Sequence, residues 1–357
     1  MIQDNYCIIM AGGVGSRSWP FSTNKQPKQF LDFLGTGRSL LRMTFDRLEG
    51  IIPTENIFVV TNKYYKEQIL QQLPELSENQ VLLEPLRRNT APCIAYATYK
   101  IYKMNPSAKL LVLPSDHLIT NEKEYTKVIN AGLDFISKED VLLTLGMKPT
   151  RPETGYGYIQ MEMGSSNLRK VKTFTEKPNL EMAKIFVSMG DFVWNSGMFL
   201  WRADVIIKEF EKYLPELADK FESGNDVYNT VEEQLFIDKI YPLCQNVSID
   251  YGIMEKSSNV YVMQADFGWS DLGTWNSFYD ISDKDGNYNV VNGNSLLYDA
   301  NNNIVILPKG ELAVVDGLDG YLIARNNNVL LICKRDEEAK IRQFVQDAEE
   351  KFKDEYI

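Results

Sequence analysis

Histidine is almost absent from this chain of 357 residues, and its few cysteines are not clustered. The single histidine is His117, so a Ser-His-Asp or Cys-His hydrolase would have to be built around that one side chain. The four cysteines, Cys7, Cys93, Cys244 and Cys333, lie far apart and form no C-x-x-C pair. This pattern indicates reduced thiols in a cytoplasmic protein, and it argues against a disulfide framework and a zinc site.

Long apolar runs and an excess of basic residues are also lacking. No apolar run approaches the roughly 18 residues that a membrane-spanning helix needs, and the first run, residues 6–10, is too short for a signal peptide. The chain has 38 basic and 49 acidic residues, which gives a net charge of -11 at pH 7. Because nonspecific binding to a phosphate backbone requires a basic face, we expect no nucleic-acid partner and no membrane partner. A few converging Lys and Arg could still hold a small polyanion.

The first 150 residues alternate short apolar runs with helical patterns. Strands are predicted at 7–10, 57–60, 81–83, 110–113 and 141–145, and helices at 39–48, 64–73, 91–103 and 125–137. Strands without polar alternation, joined by helices, predict an α/β fold with a Rossmann-like mixed, mainly parallel sheet flanked by helices. In such sheets ligands bind beyond the carboxyl ends of the strands.

The second half of the chain has a different pattern. Strands are predicted at 156–162, 171–175 and 198–201, and helices at 181–189, 204–213 and 231–240. After residue 285 the composition shifts to Asn, Asp and Gly with brief β-rich runs, followed by a charged helix. We predict a catalytic domain over 1–285 and a small β-rich, β-helix-like region with a terminal helix over 286–357. Because its apolar strand edges need a partner surface, we expect this region to serve assembly or stability rather than chemistry, and we expect a homodimer.

The most informative segment follows the first strand and reads AGGVGSRSWP at residues 11–20. Gly12, Gly13 and Gly15 permit positive φ and let backbone N–H groups approach a ligand closely, so the loop can form an anion-binding nest. The segment matches neither G-x-G-x-x-G nor G-x-x-x-x-G-K-[ST], which argues against dinucleotide oxidoreductases and P-loop kinases.

Two cations accompany this loop. Arg17 lies within it, and Lys28 follows in the segment PKQF. Both would neutralise phosphate charge that backbone amides alone cannot neutralise. A flexible glycine turn is the structural alternative for the glycines taken alone, and the two cations at this spacing make it the weaker interpretation.

At these residues the sequence resembles the sugar nucleotidyltransferases, and six further segments follow in the order typical of that family. They are EPLRRNTAP at 84–92, LPSDH at 113–117, FTEKP at 174–178, NSGMF at 195–199, SIDYGIMEK at 248–256 and GWSDLGTW at 268–275. Together they resemble the members that make GDP-mannose and pyrophosphate from GTP and mannose 1-phosphate. Longer members of the family carry a second domain for mannose-phosphate isomerisation, and we expect this chain to be too short for one.

The residue types suit that reaction. A sugar 1-phosphate already carries a nucleophilic oxygen, so attack on the α-phosphorus of a nucleoside triphosphate needs no Ser, Cys or His nucleophile. The protein has to align two polyanions, neutralise them and stabilise the leaving pyrophosphate. Asp116 follows an apolar strand and Asp271 lies in a Trp-flanked turn, and two such carboxylates can share one Mg²⁺. The resemblance assigns them this role, against the alternative of a cap or a turn.

The resemblance also implies roles for other residues. The catalytic cations are Arg17, Lys28 and Lys177. The nucleotide-binding residues are Ala11, Gly12, Gly13, Gly15, Ser16, Glu84, Asn89, Thr90 and Ser115. The residues that bind the sugar phosphate are Gly157, Glu176, Lys177, Asn195 and Asp250. Glu84 and Asn89 are the expected guanine readers, because guanine offers N1–H and N2–H donors and an O6 acceptor. For Glu176 and Lys177 the alternative is a surface ion pair worth under about 1 kcal/mol.

Two other functions remain open from the sequence. Arg87 stands where the family usually has glycine, so a transferase for another nucleoside triphosphate or hexose 1-phosphate is one alternative. The other is a nucleotide-sugar-binding regulatory subunit without turnover. The charged residues expected of an active site are all present, which favours an enzyme. His117 follows Asp116 in sequence, and we expect a structural role for it because the reaction requires no general base.

Overall fold

The structure, a computed structural model, describes residues 2–357 and separates into two compact units. Unit 1 consists of the chain up to Gly12 together with Leu41–Ser115 and Ile119–Trp269. Unit 2 consists of Gly13–Leu40, Asp116–Leu118 and Ser270–Ile357. From Gly13 onward, the glycine-rich segment therefore belongs to the same unit as the C-terminal part of the chain. The boundary after residue 285, drawn from composition, stays a prediction about where the catalytic part ends.

The strands up to residue 270 are short. They are β1 (Asn5–Met10), β2 (Ile57–Asn62), β3 (Val81–Glu84), β4 (Lys109–Pro114), β5 (Leu118–Ile119), β6 (Leu142–Met147), β7 (Tyr158–Met161), β8 (Leu168–Thr175), β9 (Phe192–Arg202), β10 (Val260–Ala265) and β11 (Trp269–Ser270). The helices of this part are α1 (Leu40–Asp46), α2 (Lys66–Gln72), α3 (Thr90–Met104), α4 (Glu122–Ile136), α5 (Leu180–Met189), α6 (Ala203–Tyr213), α7 (Pro215–Glu222) and α8 (Glu233–Ile240).

Nine of these strands form one mixed sheet in the order β3-β2-β1-β4-β9-β6-β10-β8-β7. Strands β3, β2, β1 and β4 run parallel, as predicted. Strand β9 runs antiparallel to both of its neighbours, and β10 is parallel to β6 but antiparallel to β8. The sheet is therefore parallel in one half and mixed in the other. Met10 pairs with Pro114, so the carboxyl ends of β1 and β4 lie side by side.

Alternate residues of each strand point to opposite faces of this sheet. Apolar residues therefore lie on both faces, and helices cover both. On one face Ile8 and Phe199 belong to a core that also includes Tyr96 of α3 and Phe210 of α6. On the other face Gly132 of α4 lies against Leu143 and Leu200, and a Cβ there would approach Leu200 to 3.0 Å. Unit 1 is thus a helix–sheet–helix sandwich, and the predicted α/β fold is confirmed.

Unit 2 is rich in short strands that stack in parallel. They are β12 (Val290–Asn292), β13 (Asn294–Tyr298), β14 (Ile304–Ile306), β15 (Leu312–Asp316), β16 (Tyr321–Asn326) and β17 (Val329–Lys334), with the helices α9 (Trp275–Ile281) and α10 (Ile341–Phe352). Strands β12, β14 and β16 form one parallel stack, β13 and β15 form a second, and β17 runs antiparallel to β16. The predicted β-rich region and its terminal helix are confirmed.

Buried asparagines connect successive turns of this stack. Asn289 and Asn303 are at most 1% exposed, and the Nδ2 of Asn303 donates to the Oδ1 of Asn289 at 3.1 Å. The same Nδ2 donates to the carbonyl of Leu318 at 2.8 Å. Buried amides are stable only when their groups are paired, and these pairs lie between consecutive turns. The Asn-rich composition therefore reflects stacked backbone turns.

Candidate functional site

The glycine loop, residues 11–30, begins where β1 ends. The N–H of Ala11 donates to Val60 at 2.8 Å, and its carbonyl accepts from the hydroxyl of Thr61 at 2.9 Å, so Ala11 is held by the sheet. A Cβ on Gly12 would lie 2.8 Å from the Oε2 of Glu84. Any side chain at position 12 would therefore collide with Glu84, the predicted guanine reader.

The rest of the loop is held by its own hydrogen bonds. Gly15 has φ 73°, and a Cβ there would lie 2.6 Å from the Cβ of Lys28. The carbonyl of Gly15 accepts from the hydroxyl of Ser22 at 2.5 Å, and Gln29 donates its side-chain amide to the carbonyl of Gly13 at 3.0 Å. Ser16 is exposed at the start of a short 3₁₀ helix, Ser16–Ser18. Only glycine fits this left-handed close approach at position 15.

Lys28 lies at the centre of a charged cluster in unit 2. Its side chain is 2% exposed, and its Nζ lies 3.1 Å from the Oδ2 of Asp116. The same Nζ donates to the carbonyl of Asp271 at 2.6 Å. Arg17 approaches the Oδ2 of Asp271 at 3.9 Å. The structure thus brings together both predicted metal ligands and both cations of the glycine loop.

The charge state of Asp116 follows from its neighbours. Burial alone would raise the pKa of this carboxyl, but the positive charges of Lys28 and His117 outweigh burial and hold the pKa below its ordinary value. The Nε2 of His117 lies 3.9 Å from the Oδ1 of Asp116, in agreement with a structural role for His117. Asp116 is therefore an anion at neutral pH.

The two aspartates fit the requirements of Mg²⁺. Their side chains are 32% and 15% exposed, and both residues lie against the Nζ of Lys28. Mg²⁺ is bound by one or two carboxylates together with substrate phosphate oxygens. Among the residues that the structure describes, no group of three or more His, Cys, Asp and Glu is suited to hold a metal. An ion here would thus depend on the phosphates of a substrate for most of its ligands.

Glu84, at the end of β3, is a buried carboxylate with a defined partner. It is 4% exposed and accepts a hydrogen bond from the phenol of Tyr241. Burial raises its pKa to about 7, although Tyr241 and the charge of Arg87 act in the opposite direction. The sequence predicted Glu84 but missed Tyr241, because no local pattern connects residues so far apart in the chain.

The remaining predicted nucleotide residues are located at the start of α3 and after β4. Asn89 is exposed with φ 65°, and its Oδ1 accepts from the N–H of Thr90 at 3.0 Å. The hydroxyl of Thr90 accepts from the N–H of Ile249 at 2.9 Å. Ser115 is 3% exposed, and its N–H donates to the carbonyl of Met10 at 3.2 Å. Asn89 therefore caps a helix, while Ser115 ties the ends of β4 and β1 together.

The predicted sugar-phosphate residues meet in unit 1. The Nδ2 of Asn195 donates to the Oδ1 of Asp250 at 2.8 Å, and the N–H of Asn195 donates to the carbonyl of Gly157 at 2.8 Å. A Cβ on Gly157 would lie 2.5 Å from the Oε2 of Glu176. Lys177 pairs with Glu176, and its side chain is 59% exposed. Four separate segments thus form one cluster of polar groups, which we call the polar cluster of unit 1, with the exposed ammonium of Lys177 beside it.

The carboxylates of the polar cluster influence each other. Burial, reinforced by the negative charge of Glu176, raises the pKa of Asp250 to about 6, while the hydrogen bond from Asn195 lowers it. A half-buried carboxylate of this kind can accept hydrogen bonds from hydroxyl groups of a ligand. The polar cluster of unit 1 therefore has hydrogen-bond acceptors for hydroxyl groups and, at Lys177, a positive charge for a phosphate.

The glycine loop follows the first strand, cations lie beside two aspartates in unit 2, and separate polar segments meet in unit 1. Over residues 6–287 the chain matches the sequence family described as "Nucleotidyl transferase". The chain belongs to that family and is a nucleotidyltransferase.

Individual relatives agree with this. The chain is 38% identical over 352 residues to "Mannose-1-phosphate guanylyltransferase" of Salmonella montevideo, covering 94% of this chain and 74% of the relative. It is 34% identical over 347 residues to "Xanthan biosynthesis protein XanB" of Xanthomonas campestris pv. campestris, covering 96% and 73% of the two chains. The crystal structure described as "mannose-1-phosphate geranyltransferase" of Thermus thermophilus has a TM-score of 0.88 at 29% identity, covering 97% of this chain and 100% of that one.

Within residues 2–357 no helix combines the length and the apolar character needed to cross a membrane.

Proposed function

We propose that this nucleotidyltransferase transfers a guanylyl group from GTP to mannose 1-phosphate, with release of pyrophosphate. The observation that carries the proposal is the polar cluster of unit 1, in which Gly157, Glu176, Asn195 and Asp250 meet with Lys177 beside them. Its carboxylates and amide suit sugar hydroxyls, and the ammonium suits the phosphate of the sugar. The similarity to relatives named mannose-1-phosphate guanylyltransferase supports mannose as the hexose.

Guanine is the proposed base because of Glu84. Its buried carboxylate can accept hydrogen bonds from the N1–H and N2–H of guanine, a donor pair that adenine and the pyrimidines do not present. Unpaired buried polar groups penalise the wrong base strongly. Asn89 and Thr90 at the start of α3 complete the proposed base and ribose contacts. Ala11, Gly12, Gly13, Gly15, Ser16 and Ser115 are the proposed backbone and hydroxyl contacts to the nucleotide.

In the proposed reaction a phosphate oxygen of mannose 1-phosphate attacks the α-phosphorus of GTP in line with the leaving group. The bond between the α-phosphorus and the bridging oxygen breaks, and pyrophosphate leaves with the electron pair. Arg17 and Lys28 stabilise the charge that develops on the phosphates, and Lys177 orients the attacking phosphate. Aligning two bound reactants and neutralising their charge accounts for most of the catalysis in such transfers.

We propose that Asp116 and Asp271 hold Mg²⁺ for this reaction. When bound, the ion neutralises phosphate charge as a Lewis acid. Lys28 has a second task, because its Nζ contacts a carboxylate oxygen of Asp116 and the carbonyl of Asp271. It therefore holds the two aspartates at a fixed separation.

Pyrophosphate release tests the specificity. The purified protein with Mg²⁺ is combined with GTP, ATP, UTP or dTTP and with mannose 1-phosphate or glucose 1-phosphate. The highest kcat/KM is expected for GTP with mannose 1-phosphate. A higher kcat/KM with another pair would contradict the proposed substrates but not the proposed class of reaction. Binding of GDP-mannose without any turnover would instead indicate a regulatory subunit.

We also propose that the protein forms a homodimer. Four large apolar side chains, Leu296, Tyr298, Leu312 and Val314, are between 48% and 62% exposed on the paired strands β13 and β15. Exposed apolar patches of this kind mark protein contacts. A cytoplasmic location is proposed because all four cysteines are free thiols, which is typical of a reducing compartment.

A further inference from the structure

Residues far along the chain hold the backbone of the glycine loop. The indole N–H of Trp275 donates to the carbonyl of Trp19 at 3.3 Å. The side-chain amide of Asn326 donates to the next two carbonyls, those of Pro20 at 3.0 Å and Phe21 at 3.4 Å. Three consecutive loop carbonyls thus have donors that lie more than 250 positions later in the sequence.

The same region also holds the loop by its side chains. The indole N–H of Trp19 donates to the carbonyl of Tyr356 at 2.8 Å. Trp19 and Trp275 are 8% and 1% exposed in one core with Ile304, Leu322 and Ile341. The ring of Phe21 lies edge-on to Trp275 at 5.7 Å between ring centroids. We call Trp275, Asn326 and Tyr356 the loop brace.

The brace connects directly to the charged cluster of unit 2. Trp19 is separated from Arg17 by one residue, and its N–H donates to the carbonyl of Ser16 at 3.2 Å within the same tight turn. On the other side, Trp275 begins α9 four residues after Asp271, whose Oδ1 accepts from the N–H of Gly273 at 2.7 Å. A shift of the brace would therefore move both members of the Arg17–Asp271 pair.

We propose that Asn326 is a positioning residue for the transfer reaction, acting through the carbonyls of Pro20 and Phe21 on Arg17. The β-rich region then does more than assemble subunits, because it fixes the loop that carries charge-stabilising groups. The inference rests on the proposed role of Arg17 in catalysis. Charge stabilisation requires preorganised groups, and a misplacement of about 1 Å can lower a rate by roughly 100-fold.

The test compares Asn326→Ala with Asn328→Ala. Asn328 is an exposed asparagine two residues later, so the control changes the same side chain without touching the loop. Asn326→Ala is expected to lower kcat about 10- to 100-fold while KM for mannose 1-phosphate stays within about twofold. Lys177, the proposed phosphate contact, belongs to unit 1 and is not held by the brace. Asn328→Ala should match the wild type. A lower melting temperature with wild-type kcat in Asn326→Ala would show that Asn326 only stabilises the fold, and would overturn the proposal.

Two further measurements keep the proposal testable. Trp19→Phe retains an aromatic ring in the core but removes the donor to Tyr356, and it should also lower kcat with little change in KM for mannose 1-phosphate. Hydrogen exchange of the amides of residues 13–28 should be faster in Asn326→Ala than in Asn328→Ala, and equal rates would overturn the proposal. The exchange measurement needs no substrate. A wild-type protein that releases no pyrophosphate would therefore refute the proposed function, while the exchange rates would still show whether Asn326 holds the glycine loop.

Discussion

The phenol of Tyr241 donates a hydrogen bond to the carboxylate of Glu84, which lies 157 positions earlier in the chain. Burial raises the pKa of this carboxyl to about 7, and the Tyr241 hydrogen bond keeps it from rising further. The proposed guanine reader therefore changes its charge near neutral pH. Only the ionised form can accept both donors of guanine.

The pH dependence of GTP use follows from this. Because the pKa of Glu84 is raised to about 7, the protonated form predominates below that pH, and kcat/KM for GTP should rise as the pH increases through about 7. Initial rates between pH 5.5 and 8.5 at saturating mannose 1-phosphate measure this. The phosphates of the substrates also titrate, near pH 6, and they contribute to the pH dependence. Glu84→Gln is therefore the reference, because its pH profile of kcat/KM should show the phosphate contribution without that of Glu84. Tyr241→Phe should move the rise to higher pH. Identical profiles in all three proteins would contradict the assignment.

The metal requirement should depend on both aspartates. Asp116→Asn or Asp271→Asn should raise the Mg²⁺ concentration needed for half-maximal activity on the order of 10- to 100-fold, because each removes a negative ligand charge. EDTA should abolish wild-type activity, and added Mg²⁺ should restore it. Asp283→Asn, at an exposed position of the same unit, is the matched control. Full activity in EDTA, or wild-type Mg²⁺ titrations of both variants, would refute the shared site.

The two cation sites should affect different kinetic constants. Lys177→Ala should raise KM for mannose 1-phosphate much more than KM for GTP, since Lys177 lies beside Glu176 in the proposed sugar site. Arg17→Ala should mainly lower kcat, by roughly 10²- to 10³-fold, because its charge matters most in the transition state. Substrate titrations, with circular dichroism to confirm folding, give both constants. Lys172→Ala, at an exposed lysine on β8, should change neither. An effect of Lys177→Ala on GTP alone would reverse the assignment.

Gly157 should be intolerant of a side chain. A Cβ there would lie 2.5 Å from the Oε2 of Glu176 and 3.3 Å from the Cβ of Asn195. Gly157→Ala should therefore displace Glu176 and raise KM for mannose 1-phosphate at least about tenfold, with KM for GTP nearly unchanged. At Gly164, by contrast, a Cβ would approach Arg169 only to 3.6 Å. Gly164→Ala should behave as the wild type, and equal kinetics for both variants would refute the crowding argument.

The oligomeric state should depend on the apolar face of β13 and β15. Light scattering is expected to show a dimer for the wild type. A Leu312→Asp, Val314→Asp double variant should be a monomer, because charge on a buried contact face is strongly unfavourable. Val231→Asp, at a fully exposed position of unit 1, should remain dimeric. A monomeric wild-type protein would contradict the proposed homodimer.

Local sequence patterns correctly predicted the elements whose apolar pattern lies within the element itself. The apolar run at 7–10 corresponds to Asn5–Met10, and the helix predicted at 91–103 to Thr90–Met104. The strand Val260–Ala265 was missed, although it lies inside the sheet between β6 and β8. It pairs in parallel with Leu142–Met147, more than a hundred residues earlier, and no local pattern encodes such a pairing.

The site was predictable in its residue types and only partly in its contacts. The motifs indicated Glu176, Asn195 and Asp250, which the structure brings together in the polar cluster of unit 1. The sequence also marked Lys28 as a cation, but it gave no sign that the side chain is 2% exposed and enclosed by Asp116 and Asp271. The tertiary fold determines which groups contact a buried charge. These contacts cannot be predicted from the separate sequence segments that supply them.

The hydrogen bond between Trp19 and Tyr356 joins residues 337 positions apart, and this has a consequence for protein synthesis. The ribosome makes the glycine loop long before it makes Trp275, Asn326 and Tyr356. At roughly 5–20 residues per second, the loop emerges tens of seconds before Asn326 and Tyr356 can reach it. A nascent chain can therefore form much of the sheet of unit 1 while its Arg17 is still unplaced. In the proposed reaction, transfer therefore cannot begin until the residues of the loop brace have left the ribosome.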